Sequence, residues 1–492
     1  MHDNVSELVE TDGSLPVLHY LVQKRVYTLA RDEAEDNILA AHQQTELLHI
    51  KSTSITTTRT PMESTDLPRC RSDREGCDAP PRCIESLPAE IQRHIMLFLP
   101  SLGSLGAVIR ASPVLYSLFR HEPKNYIVNC LINVLGDSFI DAITARAAMQ
   151  ESFQHLRCIA MKEGHETRII WPFLEAYQGS LQRLSYKRWI RSLSLSEAVE
   201  MATFQTSTVE PLVEEYSSWA LANLGVPATT TGLSKNERMR IQRALYRFQI
   251  VCDVFGNKLK DNYLSNHRPR HLGCIRFLSS YEPWEIEEIL CINAFFQDQY
   301  KTRLEEVSED LSTIIWRSAG EPGETVDAMG AHTRQSSRNF LVSQGLPLLT
   351  SVLRIRDRGE LAATLRANVD HHAGHIWLDD VTGNMDMHER WERSYSERDL
   401  AQDEGRPIPF RGDDTGSPPL AWVLIWGETY SNLFGTFIPK PLRRWGYIMW
   451  DAWRLDETGA RERLMREWHD MWQGGDYGDS LRAWSNAWNN RG

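Results

Sequence analysis

The densest group of side chains able to hold a metal ion is Asp370-His371-His372-Ala373-Gly374-His375, followed by Asp379-Asp380. In a helix, His371 and His375 would share a face at i, i+4, and imidazole with carboxylate suits zinc or iron. The set is incomplete. His372 stands where an H-E-x-x-H arrangement needs its Glu, and Gly374 weakens the helix that would align the pair. A metal-dependent enzyme built on His371, His372, His375 and Asp379 is therefore the lesser alternative, and neither a metal nor a cofactor is expected. Other catalytic signatures are missing too: the chain has no G-x-x-x-x-G-K-[ST], no G-x-G-x-x-G and no G-x-S-x-G elbow. Its eight cysteines form no C-x-x-C pair, so they read as free thiols of a reducing compartment. The residues point away from an enzyme.

Two sets of side chains could instead bind a partner. Lys235, Arg238, Arg240, Arg243 and Arg247 give one helical stretch a basic side, while residues 281–311 carry nine acidic side chains against Lys301 and Arg303. Neighbouring helices of opposite sign are expected to solvate or pair with each other, with Arg240 and Arg247 as a candidate client-binding surface. No aromatics interleave these arginines as base stacking would require, so no nucleic-acid partner is expected. The second set is aromatic. Nine of the sixteen tryptophans fall in residues 421–492, with Trp450/Trp453, Trp468/Trp472 and Trp484/Trp488 at helical spacing. Large rigid rings fill a core more often than they anchor a partner; Trp484 and Trp488, nearest the end, are the candidates for an anchor.

These residues must be positioned by helices. At 492 residues the chain has length for roughly three structural units. A net charge of −12 disfavours nonspecific nucleic-acid binding. No apolar run approaches the ~18 residues of a membrane span, and Met1-His2-Asp3-Asn4 lacks a signal-peptide pattern, so no membrane partner is expected. The expected location is intracellular, in cytoplasm, nucleus or both. Residues 1–50 read as a peripheral helical segment, and 51–83, rich in Ser, Thr and Pro, as a disordered linker. A helical body follows over 124–398. In it Ile241, Leu245, Phe248, Cys252 and Phe255 make one continuous face, and Pro283 and Leu346-Pro347 mark first turns of further helices. Residues 399–419 hold seven Gly and Pro and read as a flexible loop, and 420–492 as a Trp-rich helical part. Ala421–Trp426 is the best strand candidate and fits a buried helix equally well. The fold class is mostly α.

The most informative stretch runs from Ile84 to Pro123. Pro88 suits a helix start and Glu90 favours the positive end of its dipole. Ile91, Ile95, Phe98 and Leu99 then make an apolar face that Pro100 terminates. A second short helix places Leu102, Leu105, Val108 and Ile109 inward, and a third begins near Ser112-Pro113. Three short helices bury too little to be robust alone and want a partner. With its opening Leu87-Pro88-x-Glu90-Ile91, then Ile95, Leu99-Pro100, Leu102, Leu105 and Val108-Ile109-Arg110-Ala111-Ser112, the stretch resembles an F-box, the adaptor-binding module of SCF-type cullin–RING ubiquitin ligases. The blocks Arg243–Gln249, Glu282–Ile289 and Arg443–Asp451 are similar to a filamentous-fungal family of F-box-like proteins.

The resemblance implies a three-helix F-box module over 84–123 followed by a large irregular all-helical C-terminal domain. It implies a non-enzymatic substrate receptor that binds a Skp-type adaptor, and through it a cullin. Leu87, Pro88, Ile91, Ile95, Leu99, Pro100, Leu102 and Leu105 would contact that adaptor, and the body would hold client proteins. Many F-boxes carry a Trp in the third helix; here Ser112–Phe119 has none. An F-box-like scaffold working outside any ligase is the alternative.

Overall fold

In the computed structural model of the chain, the described residues are 83–162, 165, 167–183, 193–226, 232–256, 268–308, 326–369, 378–383 and 397–472. Their regular elements are all helical, apart from one isolated antiparallel bridge between Pro407 and Thr429. The expected segments 1–50 and 51–83 lie outside the described residues, except Cys83.

Four helices open the fold: α1 (Ala89–Leu97), α2 (Leu102–Ala111), α3 (Pro113–His121) and α4 (Pro123–Leu135). Next come α5 (Phe139–Met149), α6 (Glu151–Lys162), α7 (Thr167–Arg183), α8 (Leu195–Phe204) and α9 (Glu210–Leu224). A π-helical turn, Gln205–Val209, joins α8 to α9 and sets the buried Gln205 amide between Gln242 and Tyr246 at 2.8 Å each. The centre is built from α10 (Lys235–Phe255), α11 (Arg268–Leu278) and α12 (Pro283–Glu306). Then follow α13 (Val326–Ser343), α14 (Leu346–Arg354), α15 (Arg358–Asn368), α16 (Leu378–Gly383) and α17 (Glu397–Asp403). The last are α18 (Leu420–Ile425), α19 (Lys440–Arg444), α20 (Ala452–Glu457) and α21 (Ala460–Trp472).

Local chemistry explains many of the starts. Ser234 caps α10 through a capping box, accepting from the Glu237 amide at 3.1 Å while its own amide donates to Glu237 Oε2 at 2.9 Å. Pro283 and Pro347 sit in first turns, where a missing N–H costs nothing. Ala421–Trp426 takes its helical option as α18, with no strand among the described residues to complete a ladder.

Helix α10 is the axis of the body. Every residue from Arg240 to Phe255 is buried, with α5, α9, α11, α12 and α13 packed around it. Its apolar stripe, Ile241 to Phe255, meets the main core as the spacing predicts. Three members of its basic side, Arg240, Arg243 and Arg247, are buried as well, while Lys235 is exposed. Arg243 forks onto Glu288 at 2.6 and 3.0 Å and reaches Glu285 at 3.2 Å. Arg247 joins Glu285 at 3.0 Å to Asp141 at 3.2 Å and lies over the Tyr281 ring, 4.0 Å from its centroid. Arg240 pairs with Asp451 at 2.7 Å. Two further forks complete the layer: Arg443 on Glu287 at 2.8 Å twice, and Arg454 on Glu237 at 2.7 Å twice. The helices of opposite sign do pair, but inside the molecule.

The same arginines fasten the stretch 399–419, so its reading as a flexible loop is corrected. It begins as α17 and continues as a strap: Arg240 Nη2 donates to the Asp413 carbonyl at 2.7 Å and Arg243 Nη1 to the Thr415 carbonyl at 2.7 Å. Ile408 and Tyr430 donate to the carbonyls of Glu428 and Arg406, pinning the other end. At the far end of α10, Arg157 donates to the carbonyls of Asp253 and Gly256 and so caps the helix C-terminus. There Gly256 admits no side chain: a Cβ would lie 2.2 Å from the Cys252 carbonyl oxygen and 2.6 Å from that of Ser343.

Taking one member from a buried pair strands the other's charge, which typically destabilises by about 3–5 kcal/mol. Arg243→Met should therefore lower the unfolding free energy by about 3 kcal/mol at neutral pH. Burial alone would raise the Glu285 carboxyl, but Arg247 and Arg243 hold it down at about 2. A depressed carboxyl stabilises the fold above its unfolded pKa of about 4.3, and that contribution fades as pH falls toward 2. Glu288 behaves oppositely, since burial raises it even with its arginine present. Without Arg243 it will take a proton more readily, so denaturant titrations should show the variant's deficit shrinking as pH falls through the raised Glu288 pKa.

Candidate functional site

The N-terminal module has a small core of its own. Met96, Leu105, Leu115, Phe119, Tyr126 and Cys130 are buried together. Tyr126 and Cys130 come from α4, so the module needs a fourth helix beyond the expected boundary at 123. The opposite face of α4 gives Val128, Leu131 and Leu135 to the main core, which makes one helix a member of both. Asn133 on α4 also donates to the carbonyls of Leu97 at 2.9 Å and Leu99 at 3.2 Å, docking the α1–α2 turn.

Polar contacts orient α1 on this base. Gln92 is buried and its amide donates to the carbonyls of Leu87 at 2.8 Å and Glu85 at 3.1 Å. The Glu85 carboxylate in turn accepts from Ser112 Oγ, the residue that caps α3. Ser101 caps α2 by accepting from the Ser104 amide at 3.0 Å. Helices α2 and α3 thus start on serine caps, and α1 is tied to the preceding turn through Gln92.

The apolar residues of α1 point largely outward. Its inner face is Gln92 and Met96, while Leu87, Ile91 and Phe98 are exposed by 37%, 48% and 76%. Ile95, half-buried, completes an apolar stripe along the helix, and His94 lies beside Phe98 with the rings tilted and their centroids 6.3 Å apart. Among the expected contact residues, Pro88 and Pro100 are exposed and Leu99 and Leu102 half-buried. Leu105 is corrected: at 3% exposure it belongs to the module's own core, because α2 turns it toward Leu115 and Phe119 on α3. Phe98, outside the expected contact set, is the most exposed large apolar side chain of α1; its place in the apolar face was visible, its outward direction was not.

The other candidate residues fare differently. Arg240 and Arg247 are not a surface: they are 0% and 6% exposed, held by Asp451, Asp141 and Glu285. His371, His372 and His375, like Trp484 and Trp488, lie outside the described residues, and nothing is described of the Asp379 side chain. Among the described residues no three His, Cys, Asp or Glu side chains are grouped as a metal site requires. Trp422, Trp445 and Trp450 are buried in the core, and Trp426 meets Trp468 edge-on at 5.1 Å. One stretch, Pro123–Met149, is long and apolar enough to cross a membrane by length and composition, and 61% of its apolar window is buried in the protein.

No family model, no curated protein and no solved structure matches the chain.

Exposed and buried apolar residues of the module should separate cleanly on mutation. The pair Ile91→Ser and Phe98→Ser should leave the unfolding free energy within about 0.5 kcal/mol of the parent. Leu105→Ala should lower it by about 2–4 kcal/mol, through lost burial and the cavity left behind. Chemical denaturation followed by tryptophan fluorescence measures both.

Proposed function

We propose that this chain is the substrate-receptor subunit of an SCF-type cullin–RING ubiquitin ligase, binding a Skp-type adaptor through its N-terminal module. The observation that carries the proposal is the outward apolar stripe Leu87, Ile91, Ile95 and Phe98 on α1, which the module's own core leaves uncovered. Leu87, Ile91 and Ile95 of this stripe are among the residues that carry the F-box resemblance. In this reading ubiquitin transfer is catalysed by partner enzymes, and the helical body presents clients. With Arg240 and Arg247 committed to interior pairs, Trp484 and Trp488 remain as the client-anchor candidates.

Co-purification of the full chain with its interacting proteins tests the reading. The parent should bring down a Skp-type adaptor and a cullin. Leu87→Ala with Pro88→Ala, and separately Ile91→Asp with Phe98→Asp, should weaken adaptor binding about 30-fold or more, as removal of central apolar anchors does. Both variants should keep the parent's helical circular dichroism. A folded parent that recovers neither adaptor nor cullin would overturn the ligase assignment. Recovery of adaptor without cullin would favour a scaffold outside any ligase, the reading suggested by a third helix that exposes Val114 and Tyr116 and lacks Trp.

A further inference from the structure

The strap that closes over α10 carries a modifiable group at its exposed turn. Residues 413–418 read Asp-Asp-Thr-Gly-Ser-Pro, and the turn is closed by Asp414. Asp414 Oδ1 accepts from the Gly416 amide at 2.8 Å, and Oδ2 accepts from Ser417 Oγ at 2.8 Å in an exposed hydrogen bond. Pro418 biases Ser417 toward extended backbone, and Pro419 is itself extended at φ −60°, ψ 153°. Ser417 is half-buried in a bend with its Oγ in an exposed hydrogen bond, and a serine hydroxyl followed by proline is what a proline-directed serine kinase seats when such a turn opens. The other Ser-Pro pair among the described residues, Ser112-Pro113, has its serine buried as the cap of α3.

We propose that Ser417 is a phosphate acceptor for such a kinase, and that phosphate there releases the strap from Arg240 and Arg243. In the transfer, Ser417 Oγ attacks the γ-phosphorus of ATP and its proton passes to a carboxylate base of the kinase. The bond from phosphorus to the bridging oxygen breaks, and ADP departs. The product removes the donor that Asp414 Oδ2 uses and sets a charge of about −1.5 to −2 against that carboxylate.

The surroundings decide the direction of the effect. Phosphate would be drawn inward only if a guanidinium were in want of an anion. Arg240 already holds Asp451 at 2.7 Å, and Arg243 already holds Glu288 at 2.6 Å and Glu285 at 3.2 Å. Asp413 and Glu237 add negative charge beside the same layer: burial, with Asp451 and Glu237, raises the Asp413 carboxyl. Repulsion therefore prevails. What yields is the strap's hold: two arginine N–H bonds to the carbonyls of Asp413 and Thr415, and the Ala452 amide on Asp413 Oδ1 at 3.0 Å. Gly412, at φ +115°, and Gly405, at φ +59°, have open space around them and supply the pivots.

The test treats the purified full chain with a proline-directed serine kinase and ATP, then maps phosphate by peptide mass spectrometry. Phosphate should appear on Ser417 and be lost in Ser417→Ala and in Pro418→Ala; a native chain that takes none at Ser417 overturns the site. Release is read by trypsin cleavage after the exposed Arg411 and by hydrogen exchange at the Gly416 amide. Both should rise about tenfold on phosphorylation, the change expected from losing one hydrogen bond under repulsion. The acceleration should be smaller in phosphorylated Asp414→Asn, where the facing carboxylate is gone. Unchanged or slower cleavage of the phosphorylated parent would mean capture by the arginines and would overturn the release.

Discussion

The fold rests on a buried layer in which five guanidinium groups meet six carboxylates along and around one helix. Charges of this kind are tolerated in an interior only when fully paired and hydrogen-bonded. Each pairing here therefore dictates where a distant segment must lie. Arg243 brings α12 to α10, Arg247 brings α5, and Arg240 and Arg454 bring the chain around Asp451 to the start of α10. Arg443 ties α19 to α12 through Glu287. Such pairs add little net stability over apolar packing of the same volume. Their contribution is specificity: an arrangement that shifts one helix by a turn leaves bare charge in the core.

The apolar tryptophans work on the same architecture from outside that layer. Trp284 on α12 packs near Trp422 on α18, with ring centroids 6.4 Å apart, and Trp426 carries the contact on to Trp468 of α21. The C-terminal helices are short, five or six residues in α18, α19 and α20, too short to hold as isolated helices. They persist because large rings and arginine forks fix both ends.

What could be read in advance was what depends on neighbours in sequence. Pro283, Leu346-Pro347 and Ser112-Pro113 announce helix starts through local sterics and capping, and the starts are where those residues put them. The stripe Ile241 to Phe255 announces its own burial by period. Arg240 and Arg247 announce nothing of the kind, because the carboxylates that bury them, Asp451 and Asp141, stand 211 and 106 residues away. A basic helix face and a buried one look alike until those partners are placed. The site shows the same limit at shorter range. Ile91 and Ile95 could be placed on one face from spacing, and Leu87 only through the F-box resemblance, but whether Leu105 turned outward depended on how α3 and α4 docked. Residues 399–419 looked loose because Gly and Pro dominate them; the arginines that anchor their carbonyls belong to another element.

Helix α4 is a wall shared by two cores. Tyr126, Cys130 and Asn133 meet the module, while Val128, Leu131 and Leu135, on the opposite side of the same thirteen residues, enter the core of the body. A helix embedded on both flanks leaves no linker between them. Whatever seats on the stripe of α1 would therefore hold the whole body in one orientation, with no intervening swivel. Inserting one residue in the middle of α4 would turn everything beyond it by about 100°, and so pull Asn133 from one core and Leu131 and Leu135 from the other at a stroke.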